Sequence, residues 1–123
     1  MKKKPPKKPA ESWRHIPVKP FRCGICIFVG TPTACVKHLR KMGFNDSVDV
    51  ASLKKRSDMA KAVTILLPNG ESCIYSGCNI APGVLIHELC HAVMHMLKDR
   101  EIDDASNEVM AYTMEYLYEE ATK

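Results

Sequence analysis

The sequence predicts an α+β domain: a small, mainly antiparallel sheet of about three strands, one early helix and two longer helices toward the end. Three observations predict it. Asn69-Gly70 separates two apolar runs, Ala62 to Leu67 and Ser72 to Tyr75, and Asn-Gly between such runs is a strong hairpin signal. Residues 82–98 and 104–121 then carry apolar side chains at helical spacing. With 123 residues, the chain has room for one core.

The elements follow in order. Residues 1–22 hold eight Lys or Arg against one Glu, and Pro5, Pro6, Pro9, Pro17 and Pro20 fall among them. Like charges and prolines oppose burial, so this stretch is expected to be an extended, disordered arm, with the folded domain over residues 23–123. Gly24 to Val29 is a short apolar run stopped by Gly30 and Pro32, the pattern of a buried strand. Thr33 can cap a helix that runs to Met42 and stops at Gly43, with Cys35, Val36, Leu39 and Met42 inward. Residues 45–61 are mostly polar and read as a loop with one helical turn at most. After the hairpin, Pro82 suits the first turn of a helix reaching Lys98. Asp103 or Asp104 can cap the last helix, which runs to Ala121 with Val109, Tyr112, Thr113, Tyr116 and Leu117 on one face.

The net charge of +4 conceals an asymmetry: the arm is strongly basic, and residues 23–123 hold ten Lys or Arg against thirteen Asp or Glu. The arm can touch nucleic acid or another polyanion through phosphate contacts, or serve only as a solubilising tail. No apolar run approaches the roughly 20 residues that span a bilayer, and no apolar segment follows the basic start as in a secretory signal. A cytoplasmic monomer without membrane contact is expected. Six cysteines stand at 23, 26, 35, 73, 78 and 90. Cys23, Cys26, Cys73 and Cys78 could hold a structural zinc, but the second pair is loosely spaced, and free thiols are the expectation. Cys90 is expected in the core, and His15 and His38 at the surface.

The chemistry sits at His87-Glu88-Leu89-Cys90-His91. Two histidines four residues apart on a helix lie one turn apart, separated by roughly 6 Å of rise, so both imidazoles can reach one metal ion. Glu88 lies beside them and can take a proton from water at the metal. Catalytic zinc usually takes three protein ligands and leaves one position for water. Glu108, in the first turn of the next helix, is the best candidate for the third, with Asp103 and Asp104 as rivals at the turn. His95 shares the helix face but lies roughly 12 Å beyond His87, too far to bind the same ion. It reads as a supporting hydrogen-bond partner or a polar residue at the core edge.

With His87, Glu88 and His91 followed by Asn107-Glu108, the chain resembles the gluzincin metallopeptidases, and Asn107-Glu108-x-x-Ala111 is similar to the glutamate helix of their zinc aminopeptidase branch. The layout as a whole resembles small phage and prophage proteins of this clan. The resemblance covers residues 84–118 well. It implies a minimal zincin-like domain with one catalytic Zn2+ held by His87, His91 and Glu108, and Glu88 as the proton carrier in hydrolysis of a peptide or protein substrate. For a phage-encoded chain, the compartment would be the host cytoplasm. The aspartate that follows the glutamate ligand by four residues in the thermolysin-like branch is Tyr112 here, so the surroundings of the ligands differ. Two other readings stand beside the peptidase: a zincin-like module that binds metal without turnover, and a nucleic-acid-associated protein acting through its basic arm.

Overall fold

A computed structural model describes residues 11–18, 21–44, 48–102 and 107–123. Four strands form one mixed sheet in the order β1-β2-β4-β3, with β1 at Ser12–Val18, β2 at Cys23–Val29, β3 at Val63–Leu66 and β4 at Ser72–Ser76. β1 pairs antiparallel to β2, β2 parallel to β4, and β3 antiparallel to β4. The fold is therefore α+β, but the sheet has one strand more than expected and a parallel pair at its centre. The extra strand is β1, which lies inside the stretch read as a disordered arm. Its alternation buries Ile16 and Val18 while Trp13, His15 and Pro17 stay exposed on the other face, and pairing along all of β2 satisfies its backbone on that side. The arm reading thus fails for residues 12–18; residues 1–10 lie outside the described part.

Strand alternation divides the core in two. On one face, Cys26 and Phe28 of β2, Val63 and Ile65 of β3 and Cys73 and Tyr75 of β4 pack against α1 (Pro32–Lys41) and α2 (Val50–Met59). On the other face, Ile25 and Ile74 pack against α3 (Pro82–Asp99) and α4 (Asn107–Ala121). The cap of α1 is Thr31 rather than Thr33: its hydroxyl accepts from the Ala34 amide at 3.1 Å, and Pro32 takes the first helical position. The helix ends in a Schellman motif, with the Phe44 amide donating to Leu39 at 3.0 Å and Gly43 at φ +99°. Cys35, Val36 and Leu39 are buried as expected, whereas Met42 faces outward. Residues 50–59 are a full helix, not a loop. Asp49 caps it by accepting from the Ser52 amide at 2.7 Å, and one fully buried residue, Leu53, anchors it.

The Asn-Gly turn is present, with Asn69 at φ 63° and Gly70 at φ 76°, so both central residues take the left-handed backbone expected of the pair. α3 runs one residue past its expected end. It closes in a second Schellman motif, the Ile102 amide donating to Leu97 at 2.9 Å and Glu101 at φ 56°. The inner face of α4 carries Met110, Thr113, Met114, Leu117 and Tyr118. Tyr112 is 68% exposed and Tyr116 39% exposed, so neither is core. The apolar stripe is set by residues 110, 114 and 117, and the two tyrosines lie one step around from it. Tyr116 instead donates its hydroxyl to the Pro17 carbonyl at 3.1 Å, tying α4 to β1. The expected caps Asp103 and Asp104 lie outside the described residues. Among the described residues, no helix is long and apolar enough to cross a membrane.

Candidate metal centre

α3 carries the motif. Its buried side, with Leu85, Leu89, Ala92, Val93 and Met96, fastens the helix to the sheet. That orientation turns His87 and His91 outward from the core, and both rings are exposed. Their Nε2 atoms lie 3.2 Å apart, with ring centroids 4.8 Å apart and planes 79° from parallel. A tetrahedral zinc with bonds near 2.05 Å separates two ligand nitrogens by about 3.3 Å. The pair therefore has the spacing that one ion requires. Without metal, the same approach needs the Nε2–H of one ring to donate to the other.

Glu88 turns the other way. It is only 8% exposed, and its carboxylate accepts from the hydroxyl of Thr64 on β3. Thr64 Oγ1 also lies 3.2 Å from the Glu88 carbonyl. Beyond this contact opens a cleft of about 1060 Å³ between α3 and the edge strand β3, lined by Glu88, His91 and His95 on one side and Thr64 and Leu66 on the other. Met59 and Met94 add adaptable apolar wall, and both are well exposed. Arg56 of α2 reaches the strand edge, its Nη2 donating to the Thr64 carbonyl at 3.1 Å. His95 lines the cleft but donates its Nε2–H to the Leu67 carbonyl at 2.8 Å, so it is a polar residue at the core edge and does not hold a histidine of the pair.

The structure thus places Glu88 and His91 on the wall of one cleft, with His87 beside it, its Nε2 3.2 Å from that of His91. Glu108 is exposed on the first turn of α4. Among the described residues, no three His, Cys, Asp or Glu side chains gather closely enough to hold a metal ion, so Glu108 is not drawn to the histidine pair. Asp103 and Asp104 lie outside the described residues. Thr64 and Arg56 went unnoticed in the sequence. The signal for Thr64 was present: a single hydroxyl in the apolar run Val63-Thr64-Ile65-Leu66, on the face opposite Val63 and Ile65.

The cysteines form no second centre. Among the described residues, all six are free thiols. Cys23 and Cys26 are three apart on a strand and so face opposite sides of the sheet, Cys23 toward α3 and Cys26 toward α1. Cys78 is exposed, and Cys90 is half-buried rather than core. Cys26, Cys35 and Cys73 meet under α1. Hydrogen bonds to the Cys26 and Cys35 thiols, together with burial, push the Cys73 thiol well above the ordinary range, so it stays protonated. His38 is half-buried, not a surface residue: its ring lies 4.8 Å from Trp13 and 5.4 Å from Phe28, centroid to centroid. Burial lowers its pKa. No family model, no curated protein and no solved structure matches this chain.

Proposed function

We propose that this chain is a zinc-dependent metallopeptidase built on a minimal zincin-like domain. The observation that carries the reading is the convergence of His87 and His91, Nε2 atoms 3.2 Å apart, next to a buried Glu88 in a cleft walled by an edge strand. His87 and His91 are the residues that would hold the zinc, and Glu108 is assigned as the third ligand. Glu108 is exposed, so no packing fixes its carboxylate away from the pair. When bound, the ion supplies Lewis acidity, polarising the scissile carbonyl and acidifying water. Glu88 accepts a proton from the attacking water and delivers it to the leaving amine. An extended peptide lies along the free edge of β3 by strand addition, with its side chains alternately in the cleft and in solvent.

The size of the cleft, about 1060 Å³, supports a substrate of several residues. The proposed partner is a peptide or protein, and the enzyme is proposed to act as a cytoplasmic monomer, in the host cell if the chain is phage-encoded. Any nucleic-acid or polyanion contact through residues 1–22 narrows to the first ten residues, with their five lysines, because residues 12–18 belong to the sheet. The decisive test replaces Glu88 by Gln and follows cleavage of a fluorogenic peptide library with zinc content measured on the same sample. Loss of about 100-fold or more in kcat with zinc retained is expected. An unchanged rate at full zinc occupancy refutes the mechanism.

A further inference from the structure

We infer that Thr64 is a positioning residue for Glu88, holding one carboxylate oxygen and so fixing the carboxylate in the cleft that His91 also lines. This rests on the peptidase reading above. The Thr64 hydroxyl has one proton and two acceptors in reach, the Glu88 carboxylate and the Glu88 carbonyl, and the carboxylate is the closer. Donation to a charged acceptor is also the stronger of the two bonds. Both residues are 8% exposed, so water does not compete for the contact.

The direction of the hydroxyl is fixed from three sides. Thr64 is β-branched and sits in a strand, where its χ1 has little freedom. Its residue pairs with Ile74 of β4, and its carbonyl accepts from Arg56 at 3.1 Å. Val63 and Ile65 on either side are locked into the opposite core. A Glu side chain has three rotatable bonds, and Glu88 would otherwise choose among several rotamers in the cleft. The hydroxyl removes that freedom before substrate arrives, which is what a positioned proton acceptor requires. Thr64 is also a residue of the edge strand along which the peptide is proposed to lie. The strand that orients the substrate therefore also orients the base.

The test compares Thr64→Val, which keeps the shape and removes the hydroxyl, with Thr64→Ser, which restores it. Thr64→Ala serves as a second variant should the extra methyl of Val disturb the fold, and circular dichroism melting checks folding of each. Cleavage of the fluorogenic peptide library is followed at saturating zinc, with bound zinc measured in each sample. Thr64→Val and Thr64→Ala are expected to lose about 10- to 100-fold in kcat. KM should stay within about twofold, zinc content should be unchanged, and Thr64→Ser should recover most of the rate. A role in stability alone would lower the melting temperature and leave kcat of the folded fraction intact, which overturns the inference. So does a Thr64→Val protein that cleaves as fast as the native chain. A native chain that holds zinc and cleaves nothing overturns the peptidase reading and this inference with it.

Discussion

Removing one imidazole from the pair should abolish zinc-dependent stabilisation of this fold, and its size can be worked out in advance. Unfolding entropy near 2.1 cal/mol/K per residue gives about 0.26 kcal/mol/K for 123 residues, so each kcal/mol moves the midpoint by about 4 °C. Free zinc at 100 times its dissociation constant stabilises the native chain by about 2.7 kcal/mol, or about 10 °C. Replacing a ligand should weaken zinc by at least the roughly 100-fold seen for disturbed supporting residues. At the same zinc concentration the remaining stabilisation is then about 0.4 kcal/mol, under 2 °C. Calorimetry of the native chain, His87→Ala and His91→Ala, each with and without zinc, reads this directly. His95→Ala is the control. Its Nε2 is committed to the Leu67 carbonyl at 2.8 Å, so the variant loses intrinsic stability but keeps the full zinc increment. Glu108→Ala decides the third ligand: loss of the increment assigns it, and retention moves the ligand to Asp103, Asp104 or solvent. A full increment in His87→Ala, or none in the native chain, refutes the metal centre.

Three further expectations follow from other parts of the molecule. Arg56 occupies the Thr64 carbonyl at the strand edge, so Arg56→Met should free an acceptor for the peptide and lower KM about three- to tenfold with kcat unchanged; a higher KM argues against strand addition there. Burial depresses the pKa of His38, so the unfolded chain takes up the proton first as pH falls. The stability due to the neutral ring is complete above about pH 6.5 and lost as pH drops from there through the folded pKa, so urea midpoints should fall over that window, and less steeply in His38→Gln. Leu53 is fully buried, so Leu53→Ala should cost about 2–5 kcal/mol in urea unfolding; a cost below about 0.5 kcal/mol would mean that α2 does not pack on the sheet.

The legible parts of this chain were those in which local pattern and tertiary role agree. Asn69-Gly70 demands left-handed backbone wherever it is placed, and α3 is amphipathic over its whole length, so both elements stand out. α2 was hidden because it buries a single leucine, and its stability comes from packing and from the Asp49 cap rather than from periodicity. β1 was hidden for the opposite reason. Its composition belongs with the basic arm, and only pairing with the seven residues of β2, Cys23–Val29, gives the alternation of Ile16 and Val18 its meaning.

The site divides along the same line. His87, Glu88 and His91 were legible because one helix fixes their relation, and a spacing of four residues is already a geometry. Thr64 lies 24 residues from Glu88, and Arg56 and Met59 come from a helix that the sequence concealed. Their proximity to the motif exists only once β3 is placed at the edge of the sheet beside α3. That placement follows from the central parallel pair: because β4 sits between β2 and β3, the hairpin turns β3 outward and, among the described residues, leaves one of its edges without a partner strand. The same step that makes the sheet mixed therefore supplies both the free edge for an extended peptide and the hydroxyl that holds Glu88. The cleft therefore depends on the topology of the sheet as well as on the motif helix, because Thr64 and Leu66 of β3 form one of its walls.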